Sequence, residues 1–167
     1  MTLTATLDVN LSALLASALD LGSAQFPLEA DKRIRFASGT SAGQADMLWS
    51  DTRTVAASGT DALDLAGSLT GPLGGSLTFA RIKGLLVRAA AGNTHNCRVN
   101  RPASNGVPLF LAASDGIDVQ PGGLLLWVAP TAAGVVVTAG TGDLINIDNS
   151  GAGTSVTYDV VLIGASA

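Results

Sequence analysis

Hydrophobic and polar residues alternate with a period of two along much of the chain, most clearly within residues 143–164. A glycine-rich segment, residues 149–153, separates the two alternating halves. This pattern predicts a β-hairpin whose turn is the glycine-rich segment. Near Val161 and Ile163 the second half becomes apolar at successive positions. That change predicts that this end of the strand lies in a covered interior or at a subunit interface.

Residues 2–9 show the same alternation, with Leu3 and Leu7 among the apolar positions and threonines between them. The pattern predicts a first strand or an extended arm. An extended arm could reach a neighbouring subunit and add to an open sheet edge there. Deleting residues 2–9 is then expected to leave a folded protein that has lost its partner, unless the segment belongs to the core.

The residues after this stretch have a different spacing. Four apolar residues fall at helical intervals, namely Leu11, Leu14, Leu15 and Ala18. Asn10 or Ser12 could cap a short helix that ends near Gly22, and a strand followed by a loop is the alternative. The predicted organisation is therefore an N-terminal arm or strand with a short helix at residues 1–25, and a β-sandwich domain at residues 26–167.

Over the whole chain the sequence predicts about eight to ten short strands, separated by glycine- and proline-rich turns such as residues 70–75. Residues 124–128 are apolar on both faces, which predicts a buried strand. Gly84 interrupts another strand and predicts a β-bulge or a close backbone approach. The predicted fold class is all-β, an antiparallel β-sandwich that is jelly-roll-like.

Composition adds information about the surface. Hydrophobic residues make up 47% of the chain and charged residues only 13%, against about 25% charged in ordinary domains. A weakly charged surface fits a molecule that packs against copies of itself or against neighbours. A plain β-protein rich in small residues is the alternative explanation.

The charges are unevenly placed. The net charge is −4, and all nine Lys and Arg residues lie between Lys32 and Arg101. Five aspartates and no base follow Pro102. The sequence thus predicts no nucleic-acid binding by a general basic face. The densest basic region is formed by Arg81, Lys83, Arg88, Arg98 and Arg101, and it would either meet an acidic neighbour or form a solvated strand face.

The cysteine content, the N-terminal charges and the length of the apolar runs indicate the cellular location to expect. Cys97 is the single cysteine, so no intramolecular disulfide is expected. No base precedes Lys32, as a secretory signal would require, and no apolar run approaches the ~18 residues of a membrane span. We therefore expect no membrane partner and an intracellular site of assembly.

Residues 39–43 match the G-x-S-x-G motif of serine hydrolases, with Ser41 as the candidate nucleophile. That motif requires a strand-to-helix turn in an α/β sheet, which this chain does not predict. His95 is the single candidate base, and with Cys97 it supplies too few ligands for a metal site. The expectation is a non-enzymatic protein without a catalytic, cofactor or metal site.

Several segments resemble a known protein class: residues 36–46 (FASGTSAGQAD), 77–83 (LTFARIK), 120–126 (QPGGLLL), 140–144 (GTGDL) and 149–164 (NSGAGTSVTYDVVLIG). Here the chain resembles small virion structural proteins of tailed bacteriophages, in particular the head-decoration, or cement, type. The resemblance covers most of the chain beyond about residue 30.

The resemblance implies a jelly-roll-like sandwich, usually a homotrimer, seated where subunits of the major capsid protein meet on the outside of the shell. The protein would be made in the cytoplasm of the bacterial host and would clamp the expanded capsid against DNA pressure. No residue roles are transferred by the resemblance. The candidate assembly residues come from the sequence patterns instead, and they are Leu3, Leu7, Arg81, Lys83, Arg88, Val161 and Ile163.

Two further functions remain as alternatives. One is a structural protein of the phage tail, neck or fibre base. The other is a carbohydrate-binding sandwich, which the sequence disfavours because Trp49, Trp127 and Tyr158 are its only aromatic residues besides phenylalanine.

Overall fold

The computed structural model describes residues 2–167, and within that range it contains fourteen β-strands and no helix. In chain order the strands are β1 (Ala5–Leu19), β2 (Gly22–Ser38), β3 (Gln44–Ala45), β4 (Met47–Val55), β5 (Thr60–Asp64), β6 (Leu69–Thr70), β7 (Ser76–Leu77), β8 (Arg81–Ala89), β9 (Cys97–Asn100), β10 (Gly116–Val119), β11 (Leu124–Val128), β12 (Val135–Val136), β13 (Leu144–Asn149) and β14 (Val156–Ala165).

Eight of these strands form two antiparallel sheets. The front sheet has the order β11-β8-β14-β4, with β12 added beside β8, and the back sheet has the order β10-β9-β13-β5. Numbered one to eight along the chain, these strands run 6-3-8-1 in the front sheet and 5-4-7-2 in the back sheet. This is the connectivity of a jelly roll made of two Greek keys. The predicted all-β sandwich is confirmed.

The core lies between the two sheets. Leu85 and Leu162 enter it from the front sheet, and Val99 and Ile147 enter it from the back sheet. All four side chains are fully buried. Each contributes about 1.5–3 kcal/mol by leaving water, so the alternating apolar positions of facing strands hold the sandwich together.

The predicted hairpin at residues 143–164 is wrong in its pairing. Strand β13 pairs with β5 and β9 in the back sheet, whereas β14 pairs with β4 and β8 in the front sheet. The two strands face each other across the core because each has one apolar face to bury. Asn149 stabilises the segment that connects β13 in one sheet to β14 in the other, since its side-chain amide donates hydrogen bonds to the carbonyl oxygens of Ala56 and Thr154.

The predicted short helix is also wrong. Residues 10–19 belong to β1, which pairs with β2 without interruption from Ala5 opposite Phe36 to Leu19 opposite Gly22. The leucine spacing fits a helix, but β2 provides hydrogen-bond partners along the whole segment. The predicted division after residue 25 falls inside β2.

Strand β11 (residues 124–128) is not the buried strand that its sequence predicts. It lies at the edge of the front sheet, beside β8 alone, and Leu124 is 64% exposed. The other four residues of β11 are half-buried. Both faces of β11 are therefore partly covered by protein, which explains why apolar residues occupy successive positions in this strand.

The predicted irregularity at Gly84 is confirmed as a β-bulge. Ile163 of β14 pairs with Gly84, whereas the next residue, Gly164, pairs with Ile82. Lys83 is the extra residue between them. A bulge turns such a residue away from the regular alternation, and Lys83 is indeed buried beside buried neighbours on both sides.

Candidate assembly surface

The long hairpin formed by β1 and β2 projects from the sandwich. Every residue in the range 8–33 is exposed, and this range is called the arm below. At roughly 3.4 Å per residue, residues 8–19 extend about 40 Å. An isolated two-stranded hairpin is marginally stable in water, so the arm has the properties of a segment that needs a partner.

The strand register gives the arm two different faces. The apolar arm face carries Val9, Leu11, Ala13, Leu15, Phe26, Leu28 and Ala30. Lys32, opposite Val9, is the only charged residue on that side. The other face is polar near the sandwich, where the Arg33 guanidinium donates a hydrogen bond to the Asp8 carboxylate. The arm is thus amphipathic over its inner half.

The outer half of the arm has almost no charge. Asp20, beside the tip, is the only charged residue in the range 13–28. Leu14 and Pro27 lie opposite each other on the face that is polar nearer the sandwich. Gln25 and Ser23 lie on the same face nearer the tip. The outer half of the arm therefore has little charge, but its large apolar side chains Leu15 and Phe26 lie on the apolar arm face.

The base of the hairpin packs on the outer face of the front sheet. Phe36 and Ile163 are buried in this contact, and Leu3, Leu7 and Val161 pack around them. Four of the seven predicted assembly residues, those at positions 3, 7, 161 and 163, thus come together within one chain. The contact is separate from the sandwich core and fixes the direction in which the arm leaves.

A second apolar surface adjoins the base. It consists of Leu86, Leu124 and Leu126 and is called the leucine strip below. Leu86 lies between Val161 and Leu126 in the register of the front sheet. A groove of about 200 Å³ separates the strip from the hairpin base and is lined by Leu7, Leu86, Leu126 and Val161 among others. Leu124 is exposed at the end of the strip.

Lys83 is the predicted assembly residue that lies deepest in the molecule. Its amine donates 2.8 Å hydrogen bonds to the carbonyl oxygens of Thr40, Ser41 and Gln44. Burial lowers the pKa of the Lys83 amine, nearby Arg81 lowers it further, and Asp46 opposes the shift. The side chain thus anchors the loop at residues 39–43 to the bulge in β8.

Arg81 and Arg88 have partners of their own. The Arg81 guanidinium donates to the carbonyl oxygen of Ala133, and Arg88 forms a 2.8 Å ion pair with Asp159 on the outer face of the front sheet. Hydrogen bonds from Thr52 and Arg88 lower the pKa of Asp159. Bases and acids from the two halves of the sequence therefore meet in space, which reduces the charge asymmetry.

The G-x-S-x-G segment has none of its catalytic surroundings within residues 2–167. No helix follows Ser41, whose carbonyl oxygen accepts the bond from Lys83. His95 instead makes a 2.9 Å hydrogen bond with the carbonyl oxygen of Ala152. No hydrogen bond in the described part of the chain joins Ser41 to His95.

The described residues contain no group of three or more His, Cys, Asp or Glu side chains arranged to hold a metal ion. No helix in residues 2–167 is long and apolar enough to cross a membrane.

One polar cluster was missed by the sequence patterns. Arg53 of β4 contacts Asp61 of β5 through two nitrogens, and the Tyr158 hydroxyl donates to the same carboxylate. Burial opposes ionisation of Asp61, but the bonds from Arg53 and Tyr158 hold its pKa below the usual range. The only signal in the sequence is that Asp61 shares the parity of the core residues Leu63 and Leu65.

Comparison with known proteins assigns no family. The chain matches no protein-family model, and comparisons with curated proteins and with solved structures give no match. The arm, its base and the leucine strip are therefore the features from which a function is inferred.

Proposed function

We propose that the protein is a non-enzymatic virion structural protein, a decoration or cement protein of a tailed-phage capsid. It binds the outer shell at junctions between subunits of the major capsid protein and stabilises the shell. It acts as a homotrimer at the surface of the virion. The observation that carries this proposal is the exposed, apolar arm on a jelly-roll body.

The arm supports an assembly role because the exposure of its apolar side chains to water is unfavourable. Leu15 and Phe26 lie opposite each other on the apolar arm face and are 73% and 63% exposed. Burying such side chains contributes roughly 1.5–3 kcal/mol each, which is available only when another surface covers them. An extended apolar surface of this kind marks a site of protein–protein contact.

The jelly-roll sandwich supports an assembly role less strongly than the arm does. Jelly rolls recur in viral capsid proteins but also in lectins and cupins, so the fold alone does not specify a function. Symmetric repetition allows many modest contacts to add up to firm attachment, which is what stabilisation of a shell requires. A projecting arm supplies such a contact at each subunit.

Sugar binding is less well supported by the positions of the aromatic residues. Trp49 and Tyr158 are buried in the core, and Trp127 is half-buried in β11. A carbohydrate platform needs exposed aromatic rings, which these three do not provide. A tail, neck or fibre-base protein could use the same arm, and the number of copies per particle distinguishes that alternative.

The test is addition of the purified protein to capsids that lack it, followed by cosedimentation and cryo-electron microscopy. We expect saturable binding and density of jelly-roll size at subunit junctions of the shell. A matched variant replaces residues 13–28 by an Asn-Gly turn between Ser12 and Glu29, which shortens the arm and keeps its register. This variant is expected to fold normally and to bind weakly.

Three results would overturn the proposal. They are no binding of the wild-type chain to the capsid, density restricted to the tail or neck, and equal binding by the chain with the shortened arm. The first two reject capsid decoration, and the third rejects the arm as its means.

A further inference from the structure

We propose that the apolar arm face of one chain packs on the leucine strip of a second copy. This inference deepens the proposed function and rests on its claim that the protein is a homo-oligomer. It identifies the two surfaces that join the copies. The contact is between identical chains, so it forms in the absence of the capsid.

The hairpin itself shows what its apolar face is suited to cover. At the base, Leu7 and Ile34 of this face pack against the cluster that contains Ile163, at the outer face of the front sheet. The same face continues without a break into the arm, where Val9 follows Leu7. The apolar arm face is therefore suited to pack on the apolar face of another β-sheet.

The leucine strip provides such a face and is continuous with the base contact. Leu86 is the cross-strand neighbour of Val161, and Leu126 is the next neighbour outward. In the register of the front sheet Arg88 lies opposite both Leu124 and Asp159, and Arg88 and Asp159 form an ion pair. An incoming apolar surface therefore meets no isolated charge, whose burial would be costly.

A second copy satisfies both surfaces at once. Each chain presents one apolar arm face and one leucine strip, both partly or fully exposed. A contact between two different patches is heterologous, and its repetition closes into a ring when the rotation between copies allows it. The homotrimer of the proposed function is such a ring.

The dimensions of the arm are sufficient for this contact. The exposed strand at residues 8–19 is about 40 Å long at 3.4 Å per residue. A body of the size of residues 39–167 has a radius of gyration of about 14 Å. The arm can therefore reach across the front sheet of an adjacent copy.

The test uses the full chain without capsids and measures its mass by sedimentation equilibrium. We expect the wild type to form a closed oligomer. Leu15→Asp, on the apolar arm face, should weaken association at least roughly a hundredfold, because it would bury an unpaired carboxylate. Ala16→Asp adds the same charge on the opposite face of the same strand and should leave the oligomer intact.

A mixing experiment identifies the receiving surface. Leu124→Asp disables the leucine strip but keeps the arm, whereas Leu15→Asp disables the arm but keeps the strip. Each variant alone should be monomeric, and an equimolar mixture should form a heterodimer through the one intact pair of surfaces. Thermal unfolding should show that all variants fold, since Leu15, Ala16 and Leu124 are exposed.

The alternative outcomes overturn the inference. A monomeric wild type, an oligomer unaffected by Leu15→Asp, or a mixture that stays monomeric would each contradict it. Self-association of Leu124→Asp through its intact arm would indicate contact between arms instead. Failure of the proposed function is distinguishable, because a chain that forms the oligomer but does not bind capsids would reject decoration alone.

Discussion

The hydroxyl of Tyr158 donates a 2.8 Å hydrogen bond to the carboxylate of Asp61 and thereby connects the two sheets of the sandwich. Tyr158 belongs to β14 in the front sheet, and Asp61 belongs to β5 in the back sheet. Arg53, directly opposite Tyr158 in the front sheet, completes the cluster with a bidentate ion pair to Asp61. Polar contacts thus hold one end of a sandwich whose middle is apolar.

Replacement of Tyr158 by phenylalanine should remove this connection and keep the packing of the ring. A hydrogen bond to a charged group contributes about 1.5–3 kcal/mol, so the free energy of unfolding should fall by roughly that amount. Urea unfolding followed by tryptophan fluorescence measures the change. An unchanged midpoint would show that the bond contributes nothing to stability.

Tyr158 should also resist ionisation in alkali. Burial is the main cause that raises the pKa of Tyr158, and the neighbouring Asp61 carboxylate adds to it. Because the pKa is higher in the folded chain than in the unfolded chain, stability should fall as the pH rises above about 10, where an unfolded tyrosine ionises. The chain has one tyrosine, so phenolate absorbance reports on this residue alone. Phenolate that appears near pH 10 while the chain is still folded would contradict the prediction.

Acid should weaken the same cluster through Asp61. Hydrogen bonds from Arg53 and Tyr158 overcome the effect of burial and lower the pKa of Asp61. The unfolded chain therefore binds more protons as the pH drops, and stability should be lost below about pH 4. Asp61→Asn should flatten this pH dependence and lower stability at neutral pH. Glu29→Gln, an exposed position on the arm, is the matched control and should retain the wild-type pH profile.

Lys83→Met should release the loop at residues 39–43. The substitution leaves three carbonyl oxygens without their donor, which is expected to cost about 1–3 kcal/mol of unfolding free energy. Faster amide hydrogen exchange should be confined to this loop and to β3. Arg98→Met, which removes an exposed cation from β9, should change stability by no more than about 0.5 kcal/mol. Equal effects of the two substitutions would exclude a specific role for Lys83.

Ile163→Asp should detach the hairpin base from the front sheet. Ile163 is 8% exposed and packs in the cluster with Phe36, so a carboxylate there would be buried without a partner. We expect a loss of about 4 kcal/mol or more and rapid proteolysis within β1 and β2. Ile117→Asp makes the same change at an exposed position of β10 and should be tolerated. Resistance of the hairpin to protease in Ile163→Asp would contradict the packing of the base.

The strand content was predictable because it follows from local alternation. Residues 2–9 and the segment with Ile34 and Phe36 alternate clearly; β1 begins at Ala5 within the first segment, and the second lies in β2. The apolar end of β14 likewise predicts a covered surface, as its successive apolar positions indicate. Its cover is the hairpin base of the same chain.

The pairing of strands was not predictable from the same patterns. Leu11, Leu14 and Leu15 fit both a helix and a two-faced strand, and only the partner strand β2 decides between them. Strands β13 and β14 follow each other closely but pair in different sheets, because their apolar faces meet across the core. Local sequence does not encode such a choice.

The polar contacts were the least predictable part. Lys83 looks like a surface cation until the bulge turns it inward toward the loop at residues 39–43. Asp61 and Tyr158 are far apart in sequence, and their bond depends on the packing of the two sheets. The apolar arm face follows directly from the sequence, but only once the register of the hairpin is known.

The contact between Phe36 and Ile163 has a consequence for protein synthesis. The ribosome completes the hairpin about 120 residues before it begins β14, and at roughly 5–20 residues per second this interval is on the order of ten seconds. During that time the central partner of the hairpin base, Ile163 of β14, has not yet been made. A chain that stops before β14 therefore lacks both Ile163 and Val161, which form part of the surface on which the hairpin base packs.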